Sequence, residues 1–486
     1  MSDLKIAIIG NVDSGKSTLV GVLTKGVLDD GRGAARRLVF NFNHEQENGR
    51  TSSIAVELMG FDMKSGQSVT AHYANPSPQA TPLSSGSVLG SRRQEWPVIA
   101  KRADKILSFI DLCGHEKYLK TTIFGLMGLY PDYAAIVVNA NAGLQRMSKE
   151  HLGVALGLGI PVFVVVTKID LTPQPVFEQT LDDLSRVMKS AAVKRLPLIL
   201  KASELKTIES AATALATNRV VPILCVSSVT GEGLENLRSF LRALPSRTPC
   251  DEIDAPPLFV IESAFTVAGV GTVVSGFLKK GRIVPGTPML VGPDRNGQFR
   301  AVAIRSIHHR RVPSECVTAG ATAALALKTV GVKAAPFKKQ NLRKGMVLLH
   351  TSQGGSSFWS FEAEVVVMHH ATTIKVGYQA MLHCGVVRQT AKVVSISPIS
   401  NTEGNIIKND QRPQIFASTS LIEPVISSCQ VRSTDEAILR TGDRALVKFE
   451  FCYSPEFIQL GETILFREGR TKGFGRIVSL GPQVEG

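Results

Sequence analysis

Lys5-Ile-Ala-Ile-Ile-Gly-Asn-Val-Asp-Ser-Gly-Lys-Ser-Thr18 decides how the rest of the chain is read. An apolar run breaks into a glycine-bearing turn and then a helix-forming stretch. Gly10, Gly15, Lys16 and Ser17 fill every fixed position of the pattern G-x-x-x-x-G-K-[ST]. The two glycines let the backbone wrap so that successive N–H groups point inward at phosphate oxygens. The helix that follows turns its positive end toward the same anion. The loop residues Asn11, Val12, Asp13, Ser14, Gly15, Lys16, Ser17 and Thr18 are therefore the expected nucleotide contacts. Lys16 would reach the β- and γ-phosphates as a catalytic charge, and the Ser17 hydroxyl would hold Mg²⁺.

At 486 residues the chain is too long for one core, and about three domains is the expectation. An apolar content of 44% with 20% charged residues is that of a globular protein. No apolar run is long enough to span a bilayer, and the N-terminus carries no signal-peptide pattern. Seven cysteines are scattered, odd in number and never spaced as C-x-x-C. That pattern fits reduced thiols in a cytoplasmic setting rather than a disulfide frame or a zinc site. A net charge of +14 points to a polyanionic partner, nucleic acid first, with charge for solubility alone as the other reading.

From Lys5 to about Leu244 apolar runs alternate with helical stretches. Strand candidates are Ile106–Leu112, Ala134–Asn139, Val162–Thr167 and Ile223–Val226. Helical stretches are Lys149–Leu158 and Pro175–Ser190. The pattern predicts an α/β P-loop nucleotide-binding domain on a mostly parallel sheet over 1–247. After Pro245-Ser-Arg-Thr-Pro249 the texture becomes short β-rich runs punctuated by glycine, which predicts two all-β barrel domains, 248–352 and 353–486. Two insertions stand out: a Ser/Pro/Gly-rich stretch at about 65–93, expected to be a mobile loop, and a polar segment at about 396–431.

Three further segments narrow the nucleotide. Asp111-Leu-Cys-Gly114-His115 follows a strand and places a carboxylate for Mg²⁺ and a glycine N–H for the γ-phosphate. Thr167-Lys168-Ile-Asp170 approximates a guanine-specificity element. Asp170 would accept from guanine N1–H and its 2-amino group, Lys168 would lie along the ring, and Thr167 stands where an asparagine is usual. Ser227-Ser228-Val229 would offer backbone N–H groups to guanine O6.

Gly10-Asn-Val-Asp-Ser-Gly-Lys-Ser17, Asp111-x-x-Gly-His115 and the β-rich remainder resemble the translational GTPases, elongation factor Tu and elongation factor 1-alpha among them. Long blocks at Gly26–Arg36, His44–Ser53, Gly114–Thr122 and Phe466–Lys472 resemble the GTP-binding protein 1 and 2 subfamily of that group. The likeness covers nearly the whole chain apart from the two insertions. It implies a Mg²⁺-dependent enzyme converting GTP to GDP and phosphate. It also implies Thr51, or Ser53 after a small slip, as the first-switch ligand of Mg²⁺ and γ-phosphate, and His115 as the residue that orients the attacking water. Arg50 stands where an apolar gate residue paired with Val12 is common, a departure from the family pattern, and as a hypothesis it would engage phosphate or ribosomal RNA instead. Cys113 replaces a common proline.

The resemblance further implies a monomer that carries aminoacyl-tRNA to the ribosome, with a surveillance or RNA-decay role open. Phe265–Gly276 resembles the opening of the domain that would hold the aminoacyl end of tRNA, and His308–Arg311 on that barrel would reach a phosphate or simply be solvated. Tyr378–Thr390 resembles the segment that would approach the tRNA stem. A ribosome-rescue or termination GTPase carrying a protein shaped like tRNA is a second reading. A GTPase subunit for sulfate activation is a third, against which the basic charge and the subfamily blocks argue.

Overall fold

The computed structural model describes residues 2–70, 88–191, 193–200, 205–247, 252–330, 339–369, 373–398, 438–468 and 471–484. They form two compact units: Met1–Leu126 with Tyr130–Arg247, and Thr248–Gly486 with Met127–Leu129. The first unit is built on eight strands: β1 (Ser2–Gly10), β2 (Ala55–Phe61), β3 (Ser68–Val69), β4 (Lys105–Asp111), β5 (Tyr133–Asn139), β6 (Val162–Thr167), β7 (Leu196–Leu200) and β8 (Val220–Val226). Their order is β3-β2-β4-β1-β5-β6-β8-β7. β2 runs antiparallel to both β4 and β3, and the remaining pairings are parallel. Leu4, Ile6, Ala7, Ile8 and Ile9 are all buried. A central strand covered on both faces must read as an unbroken apolar run.

The sequence patterns do not reveal β2, β3 or β7. β2 carries Glu57, which is buried because the Lys25 ammonium meets it at 3.2 Å and Glu95 at 2.8 Å. β7 carries Pro197, tolerated because this strand lies at the sheet edge. The helices over the expected stretches are Arg146–Gly157 and Gln174–Lys189. Of the expected insertion at 65–93, residues 71–87 lie outside the described residues; a helix, Val88–Arg102, follows them.

The second unit holds two closed barrels. In the first, Leu258–Val267, Gly271–Lys280, Pro288–Gly292, Arg300–His309, Thr322–Thr329 and Val347–His350 form the wall. Pro288–Gly292 pairs on both sides and closes it. In the second, Ser360–His369 pairs with Arg444–Phe451 and Thr471–Leu480 to close a ring completed by Gln379–Cys384, Val387–Ser397 and Thr463–Glu468. Ala363, Val365 and Val367 point inward with Val447 and Phe449, the period-2 burial a filled barrel needs. Most of the expected insertion at 396–431, residues 399–431, lies outside the described residues. Among the described residues no helix is long and apolar enough to cross a membrane.

The helix Leu234–Ala243 ends on the Lys105 ammonium, which donates to the carbonyls of Leu241 (3.2 Å), Arg242 (2.5 Å) and Leu244 (2.6 Å). Burial pulls this ammonium down to about 8. Its positive charge at a helix C-terminus satisfies carbonyls that have no partner within the helix. Replacing it by Lys105→Met strands those buried carbonyls and should lower the thermal midpoint by roughly 4–8 °C, equivalent to about 2 kcal/mol. An unchanged midpoint in a melting scan would refute this role.

Candidate functional site

The loop after β1 needs a backbone that few residues adopt. Gly10 has φ of 145°, Asp13 of 58° and Gly15 of 87°. A Cβ on Gly10 would strike the carbonyl oxygen of Val137, so that position admits only glycine. Side chains from distant elements then secure the outer backbone of the loop. Gly10 N–H donates to His151 Nδ1 at 3.2 Å, and Asn11 N–H to Ser148 Oγ at 3.0 Å. The Asn11 carbonyl accepts from Ser14 Oγ (2.9 Å) and Lys16 Nζ (2.6 Å). Lys168 Nζ donates to the Asp13 carbonyl at 3.0 Å, and Thr167 Oγ1 to the Ser14 carbonyl at 2.7 Å.

His151 is fully buried, and burial followed by the nearby Lys16 charge pulls its imidazole down to about 3. It is therefore neutral and can present a lone pair to Gly10 N–H. Neither Ser148 nor His151 is singled out by any sequence motif. Thr167, expected as a base-side residue, uses its buried hydroxyl on Ser14 and lies 3.4 Å from where a Gly15 Cβ would be. The side chain here braces the loop.

Three segments meet at Ser17. Its hydroxyl donates to Asp111 Oδ2 at 2.6 Å and lies 2.8 Å from Thr51 Oγ1. Asp111 is 1% exposed, and its Oδ1 has no hydrogen-bond partner among the described residues. Burial raises this carboxyl to about 6, against the pull of Ser17 and Lys16. Two hydroxyls and a part-satisfied carboxylate form a hard oxygen donor set. That set fits Mg²⁺, which takes few protein ligands and completes its shell with water and phosphate. Among the described residues no group of three or more His, Cys, Asp or Glu gathers into a metal cage. Ser53 lies elsewhere: its N–H and Oγ both donate to Glu45 Oε1 at 3.0 Å.

A Cβ on Gly114 would lie 2.5 Å from Lys16 Nζ and 2.7 Å from the Asn11 carbonyl carbon, so only glycine brings its backbone this close to the loop. Burial pushes the Cys113 thiol up to about 12, and as S–H it contacts the Ser53 carbonyl at 3.6 Å. The residue thus adds a side-chain contact between two segments that a proline could not make. His115 is exposed; its Nδ1 accepts from Lys117 N–H at 3.1 Å. A cleft of about 380 Å³ is lined by Asn11, Val12, Asp13, Ser14, Arg50 and His115. A neighbouring cleft is lined by Gly15, Lys16, Ser17, Thr18, Thr51 and Gly114, with Arg36 also on its wall.

The expected base-side residues do not line these clefts but stand next to the loop, at the ends of paired strands β6 and β8, where Thr167 is in register with Val226. Asp170 is exposed in the short turn Ile169–Leu171. Ser227 is buried and its Oγ accepts from Val229 N–H (3.2 Å) and Thr230 N–H (3.0 Å), shaping the turn itself. The Ser228 carbonyl accepts from Asp29 N–H at 2.9 Å. In the second unit, Arg310 of His308–Arg311 is only 8% exposed, which removes the solvated reading for that residue. Within Tyr378–Thr390, Arg388 is exposed, whereas Gln389 is buried against Glu456. Phe265–Gly276 spans the paired ends of two wall strands of the first barrel and the turn between them.

Glu45 is the other residue the sequence does not single out. It is 1% exposed; Oε1 accepts from the N–H and Oγ of Ser52 and Ser53, and Oε2 from Asn41 and Phe42 N–H. Burial opposes its charge, but these bonds outweigh burial and hold the carboxyl below its ordinary 4.5. A depressed folded value means that the clamp is present above 4.5 and lost as pH falls through the folded value. Glu45→Ala should raise amide exchange in 49–54 at neutral pH by about tenfold or more, the equivalent of one charge-assisted bond. Unaltered exchange there would discard the clamp.

The description "Elongation factor Tu GTP binding domain" matches residues 2–248. Over 98% of its length the chain is 41% identical to GTP-binding protein 1 of Xenopus laevis, of which it spans 63%. It is 38% identical over the same share to GTP-binding protein 2 of Homo sapiens, of which it spans 69%. Translation elongation factor SelB of Methanococcus maripaludis, solved with the GTP analogue GppNHp, shares the fold with a TM-score of 0.61. That likeness covers 99% of this chain and 80% of SelB at 17% identity. The chain therefore belongs to the elongation factor Tu-like GTPases, in the group of GTP-binding proteins 1 and 2.

Proposed function

We propose that the chain binds and hydrolyses GTP with Mg²⁺ and, in the cytoplasm, delivers aminoacyl-tRNA to the ribosome, with a link to ribosome surveillance or RNA decay. The observation that carries the nucleotide part is the meeting of Asp111 and Thr51 on the Ser17 hydroxyl at 2.6 and 2.8 Å. That contact joins the phosphate loop to both segments able to sense a γ-phosphate. The delivery part is supported by the family, by two barrels after the nucleotide domain and by a net charge of +14.

In this reading the loop N–H groups cradle the phosphates. Lys16 leaves the Asn11 carbonyl, to which its ammonium is bound at 2.6 Å, for the β- and γ-oxygens. Ser17, Thr51 and Asp111 would hold Mg²⁺, which would supply positive charge to the phosphates. Gly114 N–H senses the γ-phosphate. His115, exposed on the cleft wall, orients water for attack, and hydrolysis is mostly such positioning and charge stabilisation. Asp170 reads guanine, while Lys168 and Thr167 hold the loop from the base side, with the Ser227–Val229 turn next to them.

Ribosomes with aminoacyl-tRNA should raise the GTPase rate by about tenfold or more, and higher salt should weaken the effect because phosphate contacts release counterions. His115→Ala should remove about 100-fold of the stimulated rate while leaving GDP affinity intact. No stimulation in any condition would end the translational reading. Stimulation indifferent to tRNA would replace delivery by rescue or termination. Chelating Mg²⁺, or Asp111→Asn, should lower GTP affinity by about tenfold or more; equal affinity with and without the ion would remove the metal assignment.

A further inference from the structure

Arg36 is, among the described residues, a cation without a counter-charge on the wall of the phosphate cleft. It is half-buried and shares that wall with Lys16, Ser17, Thr51 and Gly114. Among the described residues its guanidinium makes no ion pair and no hydrogen bond. Two glycines make room for it. Gly33 has φ of 91° and Gly49 of 64°, so both backbones are left-handed. A Cβ on Gly33 would collide with the guanidinium, and one on Gly49 would stand 3.1 Å from its terminal nitrogen.

The turn that aims Arg36 is itself tied down. The Asp29 carboxylate accepts from Gly31 N–H (3.1 Å), Gly33 N–H (3.2 Å) and Ala35 N–H (2.9 Å). On its other flank the guanidinium abuts Gly49, which leads through Arg50 to Thr51, the residue that touches Ser17. Arg50 also lines the cleft, but it is exposed.

We propose that Arg36 is a built-in catalytic arginine that contacts the γ-phosphate and stabilises the charge developing on it during hydrolysis. This rests on the GTP hydrolysis proposed above and adds a residue to it. A half-buried guanidinium with its donors unused calls for an anion, and a planar fork suits phosphate oxygens in pairs. The covalent step is unaltered: water adds to the γ-phosphorus, the bond to the β–γ bridging oxygen breaks, GDP leaves with that electron pair, and the water's proton ends on phosphate or solvent. The place of Arg36 beside the Gly49–Thr51 segment puts its effect on the γ-phosphate, so GDP alone should not feel its loss.

The test uses the full chain in single-turnover hydrolysis at saturating GTP, with GDP, GTP and GDP plus aluminium fluoride as binding probes. Arg36→Ala should slow hydrolysis by about 100-fold or more, the lower side of what a transferred arginine contributes. Arg36→Lys should remain at least about tenfold slow, because an ammonium cannot form the fork. Both variants should bind GDP within about twofold of the unaltered chain and lose the aluminium fluoride complex, a split that mere loosening of the segment would not produce. Arg37→Ala, an exposed neighbour off the cleft wall, should behave like the unaltered chain. Unchanged hydrolysis in Arg36→Ala, or a loss of GDP affinity as large as the loss of rate, would overturn the proposal. If the unaltered chain hydrolyses no GTP, the functional reading itself fails and this inference with it.

Discussion

A loop that is to receive phosphates must leave its inward N–H groups without protein partners, and the rest of this site depends on how the other side of that loop is held. The outward groups of residues 10–14 are bound by His151, Ser148, Lys168 and Thr167, side chains brought from 137 to 155 residues away. Each such bond is worth about 1 kcal/mol net. A left-handed non-glycine such as Asp13 costs about 1–2 kcal/mol. The bracing therefore outweighs the strain, and the loop is ready-made for its anion.

The same bracing marks where sequence reasoning reaches and where it stops. Gly10, Gly15, Lys16 and Ser17 are legible because a phosphate imposes their spacing locally. β1, β4, β5, β6 and β8 are legible because burial on both faces demands apolar runs. Ser148 and His151 are not, since nothing near them in sequence records that their helix passes behind the loop. Glu45 reads as one polar residue in a polar stretch, yet it is 1% exposed and accepts hydrogen bonds from Asn41, Phe42, Ser52 and Ser53. β2 and β7 escape because each breaks its pattern, one with an ion-paired glutamate and the other with an edge proline.

Thr167 shows how a departure from a motif can keep its structural half. A threonine hydroxyl reaches the Ser14 carbonyl at 2.7 Å and the Val138 carbonyl at 3.3 Å, so loop and strand end stay joined without an amide. Lys168 adds a second tie to the same loop from a left-handed backbone. Base recognition and phosphate binding would then be mechanically one body.

The γ-phosphate side is built differently. The segment 41–53 is held mainly by polar contacts: the Glu45 carboxylate, the Asn41 amide on Ser53, and Thr51 on Ser17. Val27, Leu28, Leu38 and Phe42 nearby are exposed rather than buried in a core. Segments with little buried apolar area open at low free-energy cost. One charge on Ser17's neighbours, supplied or removed with a γ-phosphate, is thus comparable to what holds the segment in place. In the second unit the balance is reversed. Arg343 grips Glu456 at 2.6 and 2.8 Å, Gln389 adds 2.6 Å to the same carboxylate, and Lys279 meets Glu462 at 2.6 Å. Glu456 is 2% exposed, so breaking this pair would strand a buried charge at a cost of about 3–5 kcal/mol. That exceeds what the loosely held 41–53 segment is worth, so this buried pair should keep the two barrels joined.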